Sequence, residues 1–539
     1  MTTRSRNRTI LDTPSGTPLP RCGIEVGMFV QELAPLAGSL GLSALVAALP
    51  LATVLVLLGV VRMKAHQAGL IGLAVALIVA VTIFGMPIGQ AISSGFQGAA
   101  FGLFPIMWIV VNALWIYRIT VRTGHFDVLR RSFGRVSDDP RIQALIIAFC
   151  FGALMEALAG FGAPVAISSV MLVALGFTPV RAAVVALVAN TAPVAFGAMG
   201  TPVVTLAQVT GLPLDTVSSI VGRQTPILAL FVPLLLVFIV DGRRGLRETW
   251  LPALVCGAAF GVVQFAAANY VSAQLADIGA ALAGAAALVA LPAARKPARE
   301  DVRTAVLTGV ATETLDRPED RGEVVRAYLP YALIIVIFSI GQLPPVKRLL
   351  DAATWKFDWP ALSVANSAGK PVSGNTFSVP FLSTGGTLVL IAGVLTAVFL
   401  RVRARDAVRE WGGTVHELRF AILTVTSVLA LAYVMNLSGQ ATTIGYFIAG
   451  AGAGLAFLSP VLGWFGVAVS GSDTSANALF GALQVTAAHQ AGLSPELLAA
   501  ANSSGGVLGK MISPQNLSIA CAAAMLPGEE GTLLRKVLP

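Results

Sequence analysis

The sequence has 539 residues, 56% of them apolar and only 12% charged, with a net charge of +9. Soluble domains average about 45–50% apolar and about 25% charged. This chain lacks the charge to cover a water-facing surface, and its mean hydropathy of +0.80 argues against a soluble Rossmann-type enzyme, a disordered chain or a secreted disulfide scaffold. Its basic residues lie in short runs between apolar segments, which argues against nucleic acid as a partner and for a lipid bilayer.

In chain order, residues 1–42 form a polar N-terminal extension. A membrane-spanning helix needs about 20 mostly apolar residues. Runs at 43–61, 68–85, 97–117, 142–158, 163–177, 180–199, 225–240, 249–270 and 275–292 make a first transmembrane half, 43–292. A polar loop at 293–326, with seven basic and seven acidic residues, separates it from a second half, 327–539. That half offers 328–343, 386–400, 418–436 and 441–458, then shorter segments at 460–470, 475–490 and 497–526. Residues 344–384 read as an extramembrane loop without evident chemistry. Long Ala-, Leu- and Val-rich runs without alternation imply helices rather than a barrel. The expectation is an all-α polytopic membrane protein with about 12–14 transmembrane elements in two repeat halves, some of them broken helices or re-entrant hairpins.

Loop charge orients the spans. The segments after residue 61, at 118–141, at 241–248 and at 401–419 are arginine-rich and read as cytoplasmic. Residues 1–42 then lie outside, at odds with Arg4, Arg6, Arg8 and Arg21. Translation starting at Met28 would remove the conflict.

A repeat is visible. Asn190-Thr191-Ala192-Pro193 through Gly200-Thr201-Pro202 matches Asn502-Ser503-Ser504-Gly505 through Ile512-Ser513-Pro514, and Gly176-Phe177-Thr178-Pro179 echoes Gly492-Leu493-Ser494-Pro495. Helices should break here, at Gly160-Phe161-Gly162-Ala163-Pro164 and at Ser470-Gly471-Ser472-Asp473-Thr474-Ser475. Backbone opened inside a membrane must line a cavity or be buried in protein. The amides at the starts of half-helices favour an anion such as a carboxylate. The alternative is that these small residues serve close helix packing.

The run Phe149-Cys150-Phe151-Gly152-Ala153-Leu154-Met155-Glu156, the glycine tip after it, Asn190 to Pro202, Val221-Gly222-Arg223-Gln224, residues 241–250, Gly471 to Ser475 and Gly509-Lys510-Met511-Ile512-Ser513-Pro514-Gln515 resemble the lactate permease family of carboxylate transporters. The resemblance covers most of residues 40–528. It implies proton-coupled uptake of lactate, with glycolate and related 2-hydroxy monocarboxylates as further substrates, across a bacterial inner membrane. Members of that family carry a further hydrophobic C-terminal helix, which the sequence after Arg535-Lys536 does not show, and a longer loop at 344–384.

Charges inside spans are costly and mark function. Glu156 has no nearby cation in sequence; it suits proton coupling, or a protonated carboxyl capping backbone at the Gly160 break. Asp473 could share the proton path, pair with Lys510 or cap the helix beginning near Ser475. Lys510 is the candidate anion-binding residue, against snorkelling to an interface. Arg223 offers a carboxylate fork or an interfacial anchor. Asn190, Thr191, Asn502, Ser503 and Ser504 can hydrogen-bond substrate or satisfy opened backbone. Gly160, Gly162, Ser472, Thr474 and Gln515 complete the candidate substrate site. Of the histidines, only His489 is a weak relay candidate.

No metal site is expected, because neither the histidines nor Cys22, Cys150, Cys256 and Cys521 have ligand spacing. No cofactor is implied, and no phosphate-binding loop offers ATP as a driving force. An enzyme would need a nucleophile, base and orienting group, and none is visible. The reading is a secondary transporter taking up lactate with protons. The rival is a Na⁺-coupled or other organic-anion transporter of the same architecture.

Overall fold

The computed structural model describes residues 27–134, 137–160, 162–292, 302, 306–307, 320–526 and 528–538. Residues 1–26 with Cys22, Phe161, and most of the 293–326 loop lie outside the described residues, so the Met28 start is not addressed. Among the described residues, nine helices are long and apolar enough to cross a membrane, and the apolar helices Ala163–Ala174, Pro179–Ala189 and Gly385–Phe399 are shorter. The helix Leu214–Tyr270 has non-helical backbone at Asp241, Gly242 and Thr249. There it folds back on itself: Ser218 Oγ donates to the Ala268 carbonyl at 3.0 Å. It thus supplies the two spans expected on either side of 241–248.

Several expected spans are not continuous helices; that at 97–117 has extended backbone at Phe104. The run 180–199 ends as a helix at Ala189, and regular structure resumes only at Ala198–Gly200 and Thr201–Thr210. The run 441–458 divides into Gln440–Ile448 and Leu455–Ser470 across Ala449–Gly454, where Gly452 has a φ of +55°. The first break falls in the Asn190–Pro202 repeat, where the sequence places one; hydropathy misses the second because glycine and alanine are apolar by composition, whatever backbone they adopt.

Two segments share one order of elements. The first is a hairpin, Pro140–Leu158 into Ala163–Ala174. A Gly176 turn leads from it to a broken helix, Pro179–Ala189 and Thr201–Thr210. The second is a hairpin, Leu455–Ser470 into Asp473–Ala491. A Gly492 turn leads from that to Pro495–Lys510 and Pro514–Ala523. The second break is the tighter one, spanning Met511 to Ser513. Its motif glycines stay helical and serve packing. A Cβ on Gly505 or Gly509 would run into the backbone of Pro460 or Trp464, and one on Gly463 into that of Asn502. Small residues here let the helices Leu455–Ser470 and Pro495–Lys510 approach closely.

Ion pairs tie the basic rim together. Arg118 contacts Glu410 at 3.1 Å and Glu417 at 2.5 Å, and Arg122 contacts Glu410 at 2.7 Å and Asp406 at 3.0 Å. They hold the amphipathic helix Ala404–Glu417 against the end of Ile88–Arg122. The Arg122 and Arg118 hydrogen bonds keep the Glu410 carboxyl below the usual carboxylate range. The buried Arg141 guanidinium bonds Asp139, Asp241 and Glu248 at 2.7–3.0 Å.

The loop 344–384 is more ordered than its composition suggests. Trp355–Asp358 pairs antiparallel with Thr376–Val379, and Val364–Ala365 pairs parallel with Phe29–Val30. The Phe357, Trp359 and Phe377 rings cluster over this small sheet.

Candidate functional site: helix ends around a buried ion pair

Both hairpin tips and both breaks meet at one cavity of about 60 Å³. Four helices begin at it. Ala163–Ala174 is capped by Gly162, Thr201–Thr210 by Gly200, Asp473–Ala491 by Ser472 and Pro514–Ala523 by Ser513. Proline stands in the first turn of three of them, where a missing amide hydrogen costs nothing. Left-handed backbone makes the first two of these entries possible, whereas Ser472 and Ser513 are extended. Gly162 has a φ of +87° and packs on Ile519, so the first hairpin tip rests on the second broken helix. Gly200 has a φ of +75°, and a Cβ there would stand 3.2 Å from the Ala273 and Gln274 backbone.

Lys510 is the last residue of its helix, where a cation suits the macrodipole. Its carbonyl accepts from Ser513 Oγ at 2.9 Å and Asn516 Nδ2 at 3.1 Å. Its ammonium meets Glu156 Oε1 at 2.5 Å, with side-chain exposures of 10% and 3%. Glu156 Oε2 has no hydrogen-bond partner among the described residues. The carboxyl therefore neither stands without a cation nor caps the Gly160 break through that oxygen.

Asp473 is the first residue of its helix; the cap is Ser472, whose hydroxyl accepts from the Ser475 amide at 3.3 Å. Asp473 Oδ2 accepts from Ser503 Oγ at 2.6 Å and Asn477 Nδ2 at 3.2 Å, and Lys510 pairs with Glu156 instead. Asn477 Nδ2 also reaches the Pro202 carbonyl at 3.2 Å, tying the second hairpin to the first broken helix.

Of the expected substrate residues, Lys510, Gly160, Gly162, Ser472, Thr474 and Gln515 line the cavity, together with Glu156 and Asp473. The others do not. Arg223 is exposed and bonds Asn269 Oδ1 at 3.2 Å. Thr191 satisfies the Val188 carbonyl, and Asn502 bonds Gln484 and Asn477. Ser503 serves Asp473, while the Asn190 side-chain amide and the Ser504 hydroxyl have no partner among the described residues. His489 is exposed near the end of its helix. Among the described residues no group of three or more His, Cys, Asp or Glu could hold a metal.

Sequence reasoning passed over Thr201 and Asn516 as lining residues, and the buried Asp277. Asp277 is 1% exposed in Ala276–Ala290 and interacts electrostatically with Glu156 and Lys510. A lone Asp in an apolar run was the available signal.

The family profile described as L-lactate permease matches residues 43–539. The chain belongs to the L-lactate permease family. An L-lactate permease of Bacillus subtilis is 42% identical, with 94% of each chain covered. The glycolate permease GlcA of Escherichia coli is 40% identical, covering 92% of this chain and 93% of that one. An L-lactate permease of Escherichia coli is 39% identical over 93% of each. The solved YdaH transporter of Alcanivorax borkumensis overlaps with a TM-score of 0.44 at 16% identity, over 82% of each chain. The protein is thus a permease, not an enzyme, and a multi-pass protein of the plasma membrane.

Proposed function

We propose that the protein takes up lactate, glycolate or a related 2-hydroxy monocarboxylate together with a proton. The observation that carries this reading is the Glu156–Lys510 pair at 2.5 Å inside a cavity walled by four helix starts. One water needs about 10–15 Å³ of such space, so the cavity suits a ligand a few times larger, such as a three-carbon acid. The helix starts favour an anion there, by up to about 2 kcal/mol each in partly buried geometry. The names of the relatives supply lactate and glycolate as the anions to test.

The coupling follows from charge balance. Lys510 neutralises one carboxylate. A substrate carboxylate takes the place of Glu156 on the ammonium, and the displaced Glu156 must then take a proton, or the site carries an uncompensated charge in the bilayer. One proton therefore enters with each anion. Net transport is electroneutral, which removes the roughly 2.3 kcal/mol per 100 mV that an anion alone would face. Asp473 contributes to the wall of the site and is a further proton-carrying group on this reading.

Proteoliposomes with labelled lactate test it. Accumulation under an inward pH gradient without Na⁺ is expected. Accumulation only with a Na⁺ gradient would favour the Na⁺-coupled rival, and no accumulation in any gradient would overturn the permease reading for this anion.

A further inference from the structure

We infer that Asp277 is the proton-loading group through which Glu156 is charged from the rim opposite the basic loops. The inference rests on the proton-coupled reading above. Asp277 lies in the first turn of Ala276–Ala290, buried. Its Oδ1 accepts from Gln264 Nε2 at 2.8 Å, while Oδ2 has no partner among the described residues. Gln264 is itself anchored. Its Nε2 reaches the Ala192 carbonyl at 3.4 Å in the first break, and its Oε1 accepts from Thr225 Oγ1 at 3.3 Å. One carboxyl oxygen is therefore fixed and the other is kept open.

The surroundings give that open oxygen a route in each direction. On one side, Ser272, Ala273 and Gln274 form part of the wall of a second cavity of about 380 Å³. Its other walls come from the start of Leu214–Tyr270 with Asp215, from Ala268 to Val271, from the 341–351 segment with Lys347 and Asp351, and from Ser383 and Leu388. These segments lie one span away from the basic loops at 241–248 and 401–419. Asp277 is three residues beyond Gln274, so this vestibule ends about one helical turn from it. On the other side the Asp277 helix packs against Gly152–Leu158, the helix that carries Glu156, and Glu156 and its partner Lys510 are the charged groups that act on Asp277 among the described residues. On the neighbouring elements, the Cys150 and Cys256 thiols meet the same helix near Gly284, two turns further along, and Tyr331 interacts with Tyr117 and Tyr328 instead.

A buried carboxyl with one oxygen left unpartnered is costly, and such groups in membrane spans mark ion or proton pathways. In the step proposed, Asp277 takes a proton from vestibule water and gives it, by way of water, to the carboxylate of Glu156 as substrate displaces that group from Lys510. Asp277 is left as the carboxylate and reloads from the vestibule. The substrate itself never touches it.

The test is Asp277→Asn in right-side-out vesicles. Lactate exchange at equal pH on both sides is expected to stay near wild type. Gradient-driven uptake should fall by about tenfold or more, and its dependence on external pH should flatten, with Asp277→Glu restoring both. A wild-type external pH profile in Asp277→Asn overturns the inference. So does an equal loss of exchange in a variant that remains monodisperse in detergent, since Asp277 would then be structural or substrate-binding. If Asp277→Asn does not fold, Gln264→Leu keeps the carboxyl but frees it. An altered external pH profile in that variant supports the relay, and an unaltered one overturns it. Failure of the parent reading looks different: Glu156→Gln would then still accumulate lactate under a pH gradient.

Discussion

Lys510 Nζ and Glu156 Oε1 are 354 residues apart in sequence and 2.5 Å apart in the fold. Each comes from a different half of the chain, one at the end of a broken helix and the other just before a hairpin tip. The pair joins the two repeat-like segments at the point where four helices begin.

Glu156→Gln is expected to abolish pH-gradient-driven accumulation and spare exchange. The neutral amide still leaves Lys510 free for a carboxylate but cannot load or release a proton. Proteoliposome accumulation and counterflow, measured side by side, check this. Full wild-type accumulation would remove Glu156 from the coupling.

Lys510→Ala should raise the half-saturating lactate concentration by about tenfold or more. A hydrogen bond to a charged group is worth about 1.5–3 kcal/mol, and 1.4 kcal/mol is tenfold. Initial-rate uptake over a substrate series reads it. Unchanged half-saturation would shift anion binding to the helix-start amides alone.

The two single variants should each destabilise the protein more than the double variant Glu156→Gln/Lys510→Met. Removing one partner of a buried pair costs about 3–5 kcal/mol because a charge is left uncompensated, whereas removing both need not. Thermal unfolding in detergent of the four proteins of the cycle gives the coupling. Strict additivity would show that the pair is not buried as described.

Gly200→Ala and Gly211→Ala separate strain from close approach. Both positions have a left-handed φ, at +75° and +72°, but only Gly200 has backbone 3.2 Å from where its Cβ would stand. Each should lose about 1–2 kcal/mol from backbone strain. Only Gly200→Ala should also lose transport beyond that, since Thr201 of its helix lines the cavity that holds Glu156 and Lys510. Equal transport in the two variants would contradict this packing.

The Arg118–Arg122–Glu410 cluster predicts a pH dependence of a definite sign. Glu410 has a lowered folded-state pKa, so its contribution is present above the unfolded value of about 4.3 and is lost as pH falls through the folded value. Glu410→Gln should lower the stability slightly at pH 7, by less than about 1 kcal/mol for such rim pairs, and the melting temperature with it. The gap to wild type should close as pH drops below about 4.3. A gap that widens on acidification would refute the assignment.

Much of the architecture was legible in the amino-acid order because a bilayer imposes one local rule. Backbone must satisfy itself in apolar runs of a fixed length, and exceptions must be buried. Hydropathy therefore marked most spans. Glycine and proline marked the tips at Gly160 and Gly471, and the scarcity of charge drew attention to Glu156, Asp473 and Lys510. The Asn190–Pro202 repeat marked the break after Ala189, but hydropathy did not locate the one after Ile448, because alanine and glycine are apolar in any backbone state. It also could not separate glycines that open a cavity, such as Gly162 and Gly200, from Gly505 and Gly509, which only bring two helices together. Tertiary structure alone decided which charge faces which. Glu156 meets Lys510 across 354 positions, Asp473 is held by Ser503 and Asn477, Arg223 lies out of the cavity, and Asp277 is held by Gln264. Charge partners inside a membrane are chosen by where helices stop in space, and sequence separation carries no information about that distance.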